Sequence, residues 1–175
     1  MTREEKLQRI RDSKPWDFII IGGGATGLST AWDACTRGLK VLLLESGDFA
    51  SATSSKSTKL IHGGVRYLQN FEIDLVKEAL WERQLLLQNA AEFCRPLRFT
   101  LPVHSMASGL YYRAGLALYD TLASSNNDWQ KAHLLNREET LSRLPTLSLE
   151  SVSGAVSYSD AQFDDTALSL ALSQA

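Results

Sequence analysis

The apolar positions of the chain fall into short runs and helical stripes, and the change from one to the other marks out its elements. Phe18-Ile19-Ile20-Ile21 is a β-favouring run that suits a parallel strand covered on both faces. Leu28, Ala31, Trp32 and Cys35 then recur at i, i+3, i+4 and i+7, which predicts a helix ending near Arg37-Gly38 and packing that face on the sheet. A second run, from Lys40 through Val41-Leu42-Leu43-Leu44 to Glu45, completes a strand–helix–strand unit of about 30 residues with a right-handed crossover. Residues 70–94 read as a long helix with Leu75, Val76, Ala79, Leu80, Leu86, Leu87 and Ala90 on more than one face, hence buried between layers, while Glu82, Arg83 and Glu92 form a solvated edge. Arg95-Pro96 ends that helix, and 97–103 alternates as a strand.

Over 110–123 the pattern predicts a helix with a core stripe of Ala114, Ala117, Leu118, Thr121 and Leu122, flanked by Tyr112, Leu116 and Tyr119. That surface, with Arg113 beside it, also suits a bilayer interface. Residues 124–128 read as a turn or exposed loop, Asn136-Arg137-Glu138-Glu139 opens a short helix closed by Pro145, 152–159 reads as a strand, and Asp164-Asp165-Thr166 caps a last helix to Ala175. At the start, a charged, helix-prone lead broken by Ser13-Lys14-Pro15 divides the chain into an arm (1–15) and a single partial α/β domain (16–175).

Composition narrows the function classes. In 175 residues, 44% hydrophobic and 22% charged, there is material for one core. Eighteen basic against twenty acidic residues, with no dense basic run, argue against nucleic-acid binding. The first sixteen residues hold no apolar leader core, and Arg113 and Asp120 interrupt the best candidate for a membrane span, so any membrane contact is peripheral. Cys35 and Cys94 have neither metal nor redox-motif spacing and are expected as reduced core thiols; no metal site is expected.

The candidate chemistry begins where the first strand meets the first helix. Gly22-Gly23-Gly24-Ala25-Thr26-Gly27 carries the GxGxxG spacing as Gly22, Gly24 and Gly27: one glycine for the tight turn, one for close approach to a pyrophosphate, one for helix–strand packing. The helix opened there offers free N–H groups and a positive dipole end to an anion. Glu45 closes the second strand, placed to accept from an adenosine ribose and to repel the extra phosphate of NADP. The motif leaves FAD and NAD open. The small polar stretch that follows, with Thr53, Ser54 and Ser55, can line the remainder of an extended cofactor, and Lys59-Leu60-Ile61-His62-Gly63-Gly64-Val65-Arg66-Tyr67-Leu68 is hard to explain as packing. His104 and His133 read as loop or packing histidines.

These residues, together with Ala52-Thr53-Ser54-Ser55, Glu78-Ala79-Leu80-Trp81-Glu82-Arg83, Arg98-Phe99-Thr100-Leu101-Pro102 and Tyr158-Ser159-Asp160-Ala161-Gln162-Phe163-Asp164-Asp165, resemble the amino-terminal portion of the FAD-dependent glycerol-3-phosphate dehydrogenases. The resemblance implies a Rossmann-like FAD-binding fold with the beginning of a substrate domain, FAD as cofactor, oxidation of glycerol 3-phosphate to dihydroxyacetone phosphate, and a quinone as electron acceptor. It implies cofactor contacts at Gly22, Gly23, Gly24, Ala25, Thr26, Gly27, Glu45, Thr53, Ser54, Ser55, Lys59, Leu60, His62, Gly63 and Gly64, and substrate-side roles for Arg66, Tyr67 and His62. It implies a cytoplasmic location, peripheral on the inner face of the membrane. The family is several hundred residues long, so 175 residues correspond to its amino-terminal third, with a carboxy-terminal part missing and an isolated chain that binds FAD weakly and does not turn over. Rival readings are another FAD-dependent oxidase of small hydroxy or amino acids, and an inactive dinucleotide-fold binding fragment. In the intact enzyme, Arg66→Ala is expected to raise KM or lower kcat while flavin stays bound; unchanged kinetics would remove Arg66 from the site.

Overall fold

The computed structural model describes residues 2–12, 15–65, 67, 70–123, 131–148 and 152–175, and divides them between two compact units, Met1–Thr58 with Asp165–Ala175, and Lys59–Asp164. Among the predicted elements, the turn at 124–128 and the residues Arg66 and Leu68 lie outside the described residues.

In the first unit, helix α1 (Arg3–Asp12) buries no residue, in keeping with a charged lead. Strand β1 (Phe18–Ile21) pairs in parallel with β2 (Val41–Leu44), and helix α2 (Ala25–Thr36) crosses between them. Gly22 links β1 to α2 at φ +111°, a backbone conformation that glycine adopts without steric cost. Gly27 sets how closely helix and strand meet, since a Cβ there would stand 2.0 Å from the Gly22 carbonyl oxygen. This contact fixes which side of α2 faces inward. Leu28 and Ala34 are buried, whereas Trp32 and Cys35, expected on the packed face, lie outside it and are exposed. Of the two expected core thiols, only Cys94 is buried.

Among the described residues the expected two-sided cover of β1 is not found either. Phe18, Ile19 and Ile21 are exposed, Ile21 at 87%, because the sheet has two strands and α2 covers one side. Helix α6 (Asp165–Gln174) packs on α2 and on the 3-10 turn Thr53–Ser55. The Ser57 hydroxyl donates to the buried Asp165 carboxylate at 2.7 Å.

The second unit is built around β6 (Gly154–Phe163). One of its edges pairs antiparallel with β4 (Cys94–Val103) over the whole length, and the other is shared by β3 (Leu60–Ile61) and β5 (His133–Leu135). Strand β4 begins at Cys94, earlier than the Arg95-Pro96 break suggested, since Pro96 and Pro102 stand on an edge strand where a missing donor is tolerated. Helices α3 (Ile73–Asn89), α4 (Met106–Leu122) and α5 (Arg137–Arg143) pack on this sheet, and α3 also packs on α4. Asn136 and Glu139 form a reciprocal capping box at the start of α5, both bonds 2.8 Å, so the acids read as a helix start mark one.

Two small cores hold the unit together, Val76 with Leu80 and Tyr119, and Val103 with Leu116 and Val156; Val65 packs against both. On α4 the inward face is therefore Gly109, Leu116 and Tyr119; of the expected stripe only Leu122 packs against a core, while Ala114, Ala117, Leu118 and Thr121 are turned out. Gly109 lets the helix approach Val103 and Leu134, where a Cβ would meet their methyl groups at 3.3 and 3.4 Å. On α3 the buried stripe is Val76, Leu80 and Arg83, so Arg83 belongs to the core rather than to a solvated edge.

Gly27→Ala should therefore destabilise the first unit by about 1–3 kcal/mol, as overpacking does. Denaturant unfolding followed by Trp32 fluorescence measures it, and a variant as stable as the parent would refute the close-contact role.

Candidate functional site

In the first unit the glycine turn is braced by the protein itself. Gly23 donates its N–H to Glu45 Oε2 at 2.6 Å, and the Gly23 carbonyl accepts from Ala50 N at 2.9 Å. Glu45 Oε1 accepts from Gly47 N at 2.7 Å, so the acid ending β2 ties both the glycine turn and its own loop. These N–H groups favour the charged form, Gly47 foremost and Gly23 next, and hold the Glu45 carboxyl below its ordinary range. Ala25, the first residue of α2, donates its N–H to Ser54 Oγ at 2.8 Å, which brings the polar 3-10 turn over the helix start. Gly24 has no Cβ to press on Ser54 Oγ, which would lie 3.0 Å from it. Thr26 and Gly27 carry first-turn N–H groups with no intrahelical acceptor, and a Cβ at Gly22 would meet nothing within 4 Å. Open space and unused donors at a helix N-terminus suit a diphosphate.

The second unit holds the other predicted group. Lys59, at φ +61°, accepts from Phe163 N at its carbonyl, and Leu60 pairs with Gln162 in the sheet. After β3 the chain turns through His62, Gly63 and Gly64. Gly63 N donates to the Tyr119 hydroxyl at 2.7 Å, and Gly64 N donates to His62 Nδ1 at 3.1 Å. Gly64 is left-handed, at φ +67°, and a Cβ there would lie 2.3 Å from the Tyr67 ring. A Cβ at Gly63 would stand 2.8 Å from both Leu80 and the Tyr119 hydroxyl. The room that these two glycines leave is thus taken by the protein's own side chains.

His62, Gly64 and Tyr67 border a cavity of about 730 Å³ that is also lined by Phe99, Tyr158 and Asp160. Phe99 and Tyr158 stack along one wall, with ring centroids 5.2 Å apart. Tyr67 is 44% exposed, so its phenol is available to a ligand.

Behind this cavity lies a polar centre that the sequence pattern does not announce. Arg83 and Asp160, each 4% exposed, form an ion pair through Arg83 Nη1 and Asp160 Oδ1. The Tyr119 hydroxyl donates to the same carboxylate, at 2.8 Å to Oδ1 and 3.0 Å to Oδ2. Burial pushes the Asp160 carboxyl upward, against the pull of Arg83 and Tyr119, and burial raises the Tyr119 phenol as well. A signal was present: Arg83 continues the Val76, Leu80 stripe at helical spacing, where a charge needs a partner.

Comparison with known proteins gives a consistent set of relatives. Residues 17–175 match the family model described as FAD dependent oxidoreductase. The mitochondrial glycerol-3-phosphate dehydrogenase of Saccharomyces cerevisiae is 42% identical over 179 residues, covering 98% of this chain and 27% of that protein. The human mitochondrial enzyme of the same name is 43% identical, over 98% of this chain and 24% of its own length. The chain thus spans about a quarter of the length of the curated relatives it matches. Among solved structures, the Bacillus halodurans glycerol-3-phosphate dehydrogenase complexed with FAD superimposes with a TM-score of 0.66 at 29% identity, covering 97% of this chain and 26% of that one.

The lowered Glu45 carboxyl has a pH consequence. Its bonds to the turn contribute fully above the ordinary glutamate value of about 4.5 and are lost as the pH falls below it, through the lower folded value. Side-chain NMR titration should place the Glu45 midpoint below 4.5, with the Gly23 amide losing exchange protection in step; a midpoint at or above 4.5 would contradict the brace.

Proposed function

The chain belongs to the FAD-dependent oxidoreductase family, and on that premise we propose that it supplies the diphosphate-binding and flavin-facing part of an enzyme that oxidises sn-glycerol 3-phosphate to dihydroxyacetone phosphate and passes the electrons to a quinone. The observation that carries this reading is the open helix start at Gly22, Gly24 and Gly27, braced by Glu45, in a chain 42–43% identical to proteins named glycerol-3-phosphate dehydrogenases. FAD, when bound, supplies the two-electron acceptor for oxidation of a secondary alcohol.

The chain's own groups divide the remaining tasks. The free N–H groups of Thr26 and Gly27 take the pyrophosphate, and Glu45, whose Oε1 accepts from Gly47 and the Ser46 hydroxyl and whose Oε2 accepts from Gly23, takes the adenosine ribose. Thr53, Ser54 and Ser55 line the cofactor beyond the helix start, and Lys59, Leu60, Gly63 and Gly64 supply the flavin side. His62 has its Nδ1 occupied by the Gly64 N–H, which leaves the proton of the neutral ring on Nε2; in that state it donates a hydrogen bond. Tyr67 offers a phenol at the mouth of the cavity, and Arg66 a guanidinium for phosphate or for developing alkoxide charge. The protein works at the inner, cytoplasmic face of a membrane. Support for peripheral contact comes from the exposed Met106, Leu110, Tyr111 and Leu118 of α4, while no helix among the described residues is long and apolar enough to cross a membrane.

The chain alone is expected to bind FAD weakly and to show no turnover. The test mixes it with FAD and a carboxy-terminal segment corresponding to the rest of the relatives, and follows a quinone-analogue dye on addition of glycerol 3-phosphate. Substrate-dependent dye reduction supports the dehydrogenase; oxygen uptake with peroxide formation would replace it with an oxidase, and neither signal would leave a binding module.

A further inference from the structure

We propose that Arg83, Asp160 and Tyr119 are positioning residues that lock the His62-Gly63-Gly64 turn in place through one hydrogen bond, from the Gly63 N–H to the Tyr119 hydroxyl. Three elements of the second unit meet at this point: Arg83 on α3, Tyr119 on α4 and Asp160 on β6. All three side chains are buried, at 4%, 1% and 4% exposure.

The logic follows from the number of protons available. A phenol has one proton to donate, and an ionised carboxylate only accepts, so the Tyr119 proton points to Asp160, at 2.8 Å from Oδ1 and 3.0 Å from Oδ2. That orientation turns the hydroxyl lone pair toward Gly63 N, 2.7 Å away. Arg83 holds Asp160 through Nη1, and its guanidinium lies 5.8 Å from the centroid of the Tyr119 ring. The arginine therefore steadies both the acid and the aromatic ring that carries the hydroxyl.

Gly63 depends on this acceptor. Strand β3 ends at Ile61, so the Gly63 amide stands beyond the ladder, inside a buried turn. Leu80 and the same Tyr119 hydroxyl occupy the place a Cβ on this residue would take, each 2.8 Å from it. With Gly63 fixed, the next amide, Gly64 N, reaches His62 Nδ1 at 3.1 Å and holds the ring nitrogens in one tautomer at the rim of the cavity that Asp160 also lines. The catalytic meaning of this lock rests on the flavin reading of the His62 to Gly64 turn; the lock itself does not.

The test uses the full chain, isotope-labelled, without flavin, at a pH where imidazole is neutral. In the unaltered chain the Gly63 amide is expected to exchange slowly with solvent, and the His62 ring nitrogens to give the well-separated resonances of a fixed Nε2–H tautomer. Tyr119→Phe removes the hydroxyl and little else. It should speed Gly63 exchange by roughly 10- to 100-fold, the factor that losing a buried acceptor is worth, and draw the two His62 resonances together while the β4–β6 amides keep their protection. Fast Gly63 exchange in the unaltered chain would overturn the proposal, and so would a Tyr119→Phe chain in which Gly63 and His62 are unchanged. A chain that shows this signature, yet gains neither FAD binding nor turnover when the carboxy-terminal segment of the relatives is added, would defeat the flavin reading and leave the lock standing.

Discussion

Asp160 lies at 4% exposure in the middle of β6, and a carboxylate taken out of water there must be met by donors or give up its charge. Arg83 and Tyr119 meet it. The pair is not a cheap source of stability. Desolvation costs several kcal/mol per ion, among the described residues the buried Arg83 Nε has no hydrogen-bond partner, and burial raises the Asp160 carboxyl against the attraction of the arginine. What the pair contributes is a single arrangement. A helix α3 turned by one residue would leave the carboxylate unpaired, and a shifted α4 would take the Tyr119 hydroxyl away from it, so the apolar contacts of Val76, Leu80 and Leu116 are held to one register by a polar group among them.

This also explains which parts could be read from the sequence. Local chemistry was legible: the Gly22 turn, the Gly27 contact, the acid at the end of β2 and the Asn136–Glu139 cap each depend on residues close together or joined by one strand–helix–strand unit. The inward face of α4 was not, because apolar residues lie on both sides of that helix. The choice fell to Tyr119, whose hydroxyl has partners on β3's trailing turn and on β6, which no periodicity reports. Helical periodicity leaves Arg83 looking like a solvated charge, because its partner is 77 residues away. The isoleucines of β1 reported a strand correctly, but a β-branched run says nothing of what covers it, and here α2 covers one side alone.

The glycines carry a related lesson. A glycine-rich stretch next to a polar cluster invites one explanation, close approach of backbone to a ligand, and two are present. At Gly22 a side chain would enter open space, so the turn itself and whatever lies against it set the requirement. At Gly63 and Gly64 a side chain would strike Leu80, Tyr119 or Tyr67, so packing within the protein is reason enough for glycine. The second pair therefore argues for a ligand only through what its backbone is made to do, which is to hold a histidine ring in one state.

Glu45 is held at both carboxylate oxygens. An acid at this position is usually explained by the ribose it receives, yet here both oxygens already accept from Gly23 and Gly47. The same bonds favour the ionised carboxyl and fix its plane before any ligand arrives. Bracing the turn and presenting the carboxylate are one act of preorganisation. The carboxylate that stops the glycine turn from relaxing is thus already set in the charge state in which it accepts.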